Sequence, residues 1–205
     1  MPSPTSTPQP AETEFDPLVF WIKHQSKILL LAGLLVVALG GYALSEYIHN
    51  KHTAAAEALL ANAHSVEDYR KVIADYSGSM PAGDAYLMLA EKLRAEGKLD
   101  ESSAALHTFI EKYPEHSLIS GAWTSLATNL EAQGKLDEAL STYQKVTTTY
   151  ANSFSAPIAL LAQARILAEK GKTEDARRLY EQMLTQFPGN FAAQQAQIEL
   201  RKLKK

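Results

Sequence analysis

Apolar positions along this chain fall into two regimes, an unbroken run followed by a periodic alternation. From Ile28 to Ser45 (ILLLAGLLVVALGGYALS) no side chain carries a charge. Eighteen such residues, at about 1.5 Å each, form a helix of roughly 27 Å, close to the thickness of a bilayer's hydrocarbon core. Phe20 and Trp21 stand beside Lys23, His24 and Lys27 at one end, and Tyr42 and Tyr47 mark the other. Aromatic and basic residues gather at membrane interfaces in this way. The pattern predicts an interfacial segment and transmembrane signal anchor over 18–48, with the membrane crossed by residues 28–45.

Two other readings of the run are a core helix and a cleaved signal peptide. Soluble cores seldom need an uncharged stretch of this length. Gly41-Tyr42-Ala43 loosely meets the small-x-small cleavage pattern, but the long acidic, Pro-rich leader favours an uncleaved anchor. Lys23 and Lys27 precede the run, and only Lys51 follows it before Arg70. This bias puts the N-terminus in the cytoplasm and the remainder outside. Residues 1–17, MPSPTSTPQPAETEFDP, hold too little apolar surface for a core and read as a disordered cytoplasmic tail. Beyond the span, residues 46–63 contain no Pro or Gly, so the helix continues outward as a stalk. Gly41 and Ser45 form a small-xxx-small pair, a spacing compatible with a homodimer.

The rest of the chain repeats. AEGKLDESSAALHTFIEKYP from Ala95, AQGKLDEALSTYQKVTTTYA from Ala132 and EKGKTEDARRLYEQMLTQFP from Glu169 align without gaps. Gly97, Gly134 and Gly171 lie 37 residues apart, as do Tyr113, Tyr150 and Phe187, and Ala90, Ala127 and Ala164. Such a period marks a solenoid, in which each helix pair buries its apolar face only against its neighbours. Trp123, Leu126, Ala127 and Leu130 recur at helical spacing in the first helix of the middle unit, and Ala139, Tyr143 and Val146 in the second. The glycine ends the first helix, and Asp137-Glu138 sits near the positive end of the second.

These positions resemble the tetratricopeptide repeat. Its helix A series matches Tyr86, Leu89, Ala90 and Leu93, then Trp123, Leu126, Ala127 and Leu130, then Leu160, Gln163, Ala164 and Leu167, with Gln163 the departure. Its small-then-aromatic pair in helix B matches Ala139 with Tyr143 and Ala176 with Tyr180; the first unit has Ser102 and Leu106. The resemblance implies an all-α tetratricopeptide-type solenoid with three repeats over 83–193. The usual unit is about 34 residues, so the extra residues belong in the turn holding Glu115-His116-Ser117. Residues 49–82 read as the stalk and a degenerate leading repeat, and 194–205 as a capping helix and basic end.

Composition narrows the chemistry. There is no cysteine, which removes thiol catalysis and disulfides, and the net charge of -3 is unlike that of a nucleic-acid binder. No phosphate loop, GxSxG or HExxH occurs. Glu46, His49 and His52 drift around the stalk rather than converge on a metal. We therefore expect a non-enzyme with no cofactor, no metal and no nucleic-acid partner. The basic end, Arg201, Lys202, Lys204 and Lys205, suits a helix C-terminus. Binding is expected in the groove lined by helix A: Leu87, Met88 and Glu91, then Thr124, Thr128 and Glu131, then Ile158, Leu161 and Arg165. Its apolar members suit a helix or an extended apolar segment, or else pack on the stalk.

The layout as a whole, from Asp16-Pro17 through Lys27, a single span and repeats beyond it, looks like the YfgM-like proteins of bacterial inner membranes. Those are ancillary subunits of the Sec translocon thought to link it with periplasmic chaperones. The resemblance implies a periplasmic repeat domain, with translocon subunits and a periplasmic chaperone as partners. Two other functions share the architecture. One is an organiser of envelope machinery (outer-membrane assembly, cell division or wall synthesis) that binds envelope proteins instead. The other is an organellar import receptor, which needs the opposite topology.

Overall fold

A computed structural model describes residues 16–203, and every regular element among them is an α-helix. The tail expected over 1–17 falls largely outside them, as do Lys204 and Lys205. The chain forms two compact units, Met1–Asn50 and Lys51–Lys205. The first is carried by helix α1 (Pro17–Ala61), an unbroken 45-residue helix. Its start differs from the expected tail boundary. Asp16 Oδ1 accepts from the Leu18 N–H at 2.8 Å and the Val19 N–H at 3.3 Å, and Pro17 opens the helix, where its missing N–H costs nothing. Leu29, Leu35 and Leu39 are each about 60% exposed. The helix is long and apolar enough to cross a membrane, and no residue of its most apolar stretch is buried in the protein.

The second unit begins with the end of α1 and helix α2 (Val66–Asp75). Ser65 Oγ accepts from the Asp68 N–H at 3.1 Å while Asp68 Oδ2 accepts from the Ser65 N–H at 3.0 Å. This reciprocal box satisfies two donors the helix leaves free, and the Asp68 carboxyl sits below the usual carboxylate range because backbone N–H groups, His64's first, hold its charge. Val72 of α2 meets Ala63 and Ala85 in a small core, with Leu59, Leu60, Tyr69 and Ile73 packed around it.

Helix pairs follow in register: α3 (Met80–Ala95) with α4 (Leu99–Lys112), α5 (Ile119–Ala132) with α6 (Leu136–Thr149), and α7 (Ala156–Glu169) with α8 (Thr173–Gln186). A last helix, α9 (Phe191–Lys202), closes the series. Helix α3 opens at Met80, where Ser79 Oγ accepts from the Ala82 N–H at 3.3 Å. Helix α9 opens at Phe191, where Asn190 Oδ1 accepts from the Ala192 N–H at 2.8 Å.

The turn inside each pair is a left-handed glycine cap. At Gly134 φ is +75°, and the Lys135 N–H reaches the Leu130 carbonyl at 2.9 Å while the Gly134 N–H reaches Glu131 at 2.9 Å. That double bond pattern reverses the chain in three residues and needs the φ only glycine adopts freely. Gly97 and Gly171 repeat it at φ +77° and +73°. Between pairs the chain takes a longer turn, Tyr113–Leu118, which contains Glu115-His116-Ser117.

Burial keeps the 37-residue step. Val72, Phe109, Val146 and Met183 are all 0% exposed, and so are Ala85, Ala122, Ala159 and Ala196. The first row fills the space between helices; the second lets helix backbones approach. Because Ala196 belongs to the second row, α9 stands in the place of a fourth helix A. Gln163, the departure from the repeat pattern, is buried with its Nε2 donating to Thr147 Oγ1 at 3.1 Å. An exposed polar tie also repeats from unit to unit: Gln133 Nε2 donates to Asp100 at 3.0 Å, and Lys170 pairs with Asp137. Being exposed and screened by solvent, such ties contribute little to stability.

Candidate groove on the helix A face

Helices α3, α5, α7 and α9, with the turns entering them, carry the exposed large hydrophobics of the repeat unit. Met80, Met88, Leu118, Phe154, Ile158, Phe191 and Ile198 belong to these helices or to the turns entering them. None lies on α2, α4, α6 or α8. A solvated B face with apolar residues confined to the A face is the signature of a surface that meets something else.

Two open cavities lie along this face. The first, of about 310 Å³, has Asp84, Leu87, Met88 and Glu91 of α3 on one wall and Gly121, Ser125 and Asn129 of α5 on the other. Ser102 and Leu106 of α4 form its floor. The second, of about 380 Å³, is framed by Thr128 and Glu131 of α5 and by Ile158, Leu161 and Arg165 of α7, with Tyr143 and Tyr180 behind them. Of the residues expected from sequence, Leu87, Met88 and Glu91 thus line the first cavity, and Thr128, Glu131, Ile158, Leu161 and Arg165 line the second. Thr124 lines neither; its hydroxyl donates back to the Ser120 carbonyl at 2.9 Å. The apolar residues also divide. Leu87 and Leu161 are half-buried against core side chains, whereas Met88 and Ile158 are 43% and 52% exposed. Met88 further lines a cavity beside the last turns of α1, with Glu57, Leu60 and Asp84.

The second cavity has a polar centre that only the fold assembles. Glu131 accepts from the Tyr143 hydroxyl at 3.1 Å and pairs with Arg165, and Thr128 Oγ1 lies 3.0 Å from the same hydroxyl. Burial is the main reason the Tyr143 phenol is pushed up to about 12, with the Glu131 charge adding to it. Tyr180 is raised by burial too, and the Glu199 charge adds to that. Both phenols therefore stay neutral. Since the unfolded chain releases the Tyr143 proton near 10.0, this group's contribution to stability is complete below pH 10 and disappears as pH rises toward 12. Melting curves across that range should show the wild type losing stability relative to Tyr143→Phe, which has no proton to release. A constant gap between them would contradict the burial of this phenol.

Sequence reasoning missed Asn129, Phe154 and Phe191. Asn129 occupies the inward slot filled by Ile166 one unit later, and a polar residue in that slot was the available signal. Phe154 falls in a turn and Phe191 is the first residue of α9, both outside any helical stripe, although they are 37 residues apart. The Glu46, His49 and His52 series is exposed along α1, and His52 meets the Tyr76 ring at 4.8 Å. At the basic end, Lys202 pairs with Glu199 at 2.8 Å.

The family model described as "Tetratricopeptide repeat-like domain" matches residues 19–205. The chain belongs to this family. The match includes the apolar helix as well as the repeats. No curated protein sequence matches the chain. Among solved structures, two forms of a Podosopora anserina chain of nearly identical TPR-like repeats, described as a kinesin light chain, are similar at 19% identity. Each similarity covers 75% of this tetratricopeptide repeat-like protein and 84% of that chain, with TM-scores of 0.57 and 0.56. The first TPR of Spaghetti (RPAP3) bound to HSP90 peptide SRMEEVD aligns at 23% identity over 60% of this chain and 90% of that one, with a TM-score of 0.48. At 19% identity the likeness to the two Podosopora anserina forms shows the helical-repeat fold alone.

Proposed function

We propose that this tetratricopeptide repeat-like protein is a membrane-tethered scaffold whose groove holds a partner protein on the periplasmic face of a bacterial inner membrane. In this reading it is an ancillary translocon subunit that links secretion to periplasmic chaperones. The observation that carries the binding role is the confinement of exposed large hydrophobics to the helix A face. The tether rests on α1, whose most apolar stretch finds no cover within the protein. A bilayer offers that cover at no cost in unsatisfied polar groups, since a helix bonds its own backbone. The Lys23 and Lys27 bias supports the orientation, and the layout resembling YfgM-like proteins supports the translocon.

The test is a crosslinked pulldown of the full-length chain from native membranes in mild detergent, read by mass spectrometry. Translocon subunits recovered with a periplasmic chaperone are the expected result. Wall, division or outer-membrane assembly proteins without any translocon would instead make it an envelope organiser. A paired substitution, Met88→Asp with Ile158→Asp, should remove the chaperone while leaving the far-ultraviolet circular dichroism intact. These two residues suit the test better than Leu87 and Leu161, whose half-buried side chains also support the core. Unchanged recovery by the folded double variant would reject the groove.

A further inference from the structure

The cavity between α3 and α5 holds an acceptor that the fold leaves unused. Ser102 Oγ donates to the Ala90 carbonyl at 2.7 Å, so only its lone pairs remain for Asn129. This fixes the Asn129 amide: its Nδ2 donates to Ser102 Oγ at 2.8 Å and to Ser103 Oγ at 3.3 Å. Both amide hydrogens are then used. The other atom, Oδ1, is buried and has no hydrogen-bond partner among the described residues. Burying an unpaired acceptor costs stability, and the same slot one unit later holds Ile166, 0% exposed. An apolar side chain would serve packing at this position, so the asparagine points to something outside the fold.

Charged groups surround the cavity. Asp84 and Glu91 stand on its wall with Arg94, and Asp84 Oδ1 also lies 3.4 Å from His116 Nε2. The adjoining cavity shares Asp84 and Met88 and adds Glu57. Between these acids the surface is apolar: Leu87, Met88, Leu106 and Leu118 line the first cavity. A side chain with an apolar stem and a cationic head matches such a site, because the stem can lie along the leucines while the head meets the acids.

We infer that this cavity anchors a lysine or arginine from an apolar segment of the partner protein, with Asp84, Glu91 and Asn129 as its acceptors. The inference rests on the groove reading above and names the chemistry that the groove selects. An acidic segment is disfavoured, since it would face two carboxylates and an acceptor-only amide oxygen. The second cavity makes no such selection, because both of its acids are already paired, Glu131 with Arg165 and Glu199 with Lys202.

The test uses the full-length chain in nanodiscs and three fluorescein-labelled amphipathic peptides. They share leucines at i, i+3, i+4 and i+7 and differ at one central residue: lysine, norleucine or glutamate. Norleucine keeps the stem and removes the head. Fluorescence anisotropy should show the lysine peptide binding about tenfold more tightly than the norleucine peptide, as expected for one charge-assisted contact, with the glutamate peptide weakest. Equal affinities for lysine and norleucine, a preference for glutamate, or no binding by any of the three would overturn the inference. Asn129→Ile, which installs the residue of the following unit, should keep the melting temperature at or above wild type and shrink the lysine preference. Asp84→Asn with Glu91→Gln should abolish that preference. A full preference retained by either variant also counts against the assignment. Failure of the groove itself reads differently. If Met88→Asp with Ile158→Asp still abolishes peptide binding while lysine and norleucine bind alike, the groove stands and only the basic anchor is lost.

Discussion

Replacing Phe109 by alanine is expected to cost about 3–5 kcal/mol, the range for deleting a large buried aromatic side chain. The ring is 0% exposed, stacks on Tyr113 at 5.7 Å and meets His116 edge-on at 5.1 Å. It sits where α3, α4 and α5 come together, among Leu89, Leu93, Leu106, Ala122 and Leu126. The loss combines burial with a cavity that rigid helices on both sides cannot collapse. For a chain of this size the melting temperature should fall on the order of 10 °C. Because a solenoid is held by nearest-neighbour contacts, amide exchange should accelerate first in α3 and α4 and much less in α8 and α9. Phe109→Met, which borrows the residue at the matching position 183, should recover most of the loss. A drop of less than a degree or two with Phe109→Ala would show that this row of the core is not packed as described.

Enlarging Ala127 to leucine acts in the opposite sense, by overfilling. Ala127 is 0% exposed and faces Ala139, Tyr143 and Val146 across the α5–α6 contact. Added methyl groups there push the two helices apart or force strained rotamers, at about 1–3 kcal/mol. The control is Ala132→Leu at the end of the same helix, where the side chain is exposed and the change should be within about 0.5 kcal/mol of neutral. Thermal melts of the pair separate overpacking from any general effect of leucine in α5. An unchanged melting temperature for Ala127→Leu would count against the repeat assignment.

The repeats were legible because the signals that encode them are local. A glycine in the left-handed turn, acids in the first turn of helix B and an apolar stripe at helical spacing each act within a few residues, so their 37-residue recurrence survives in the sequence. The apolar run of α1 is legible for the same reason. Within the groove, sequence placed Leu87 and Leu161 beside Met88 and Ile158 as equivalent exposed positions. The fold separates them, since depth depends on where the neighbouring helices pack: Leu87 and Leu161 lie against core side chains while Met88 and Ile158 stay exposed.

By itself, then, the sequence determined the class of the protein, its 37-residue unit, the glycine turns and the candidate face on helix A. Only the tertiary structure decided which of those face residues share a cavity. It brought Tyr143, Glu131 and Arg165 to one centre from α5, α6 and α7. It also tied Asn129 to Ser102 and left one amide oxygen without a partner. The physical reason is that hydrogen-bond satisfaction and burial depend on where neighbouring helices cross. That crossing is set by alanines such as Ala85, Ala122, Ala159 and Ala196 meeting across helix contacts, and no single segment of the chain carries it.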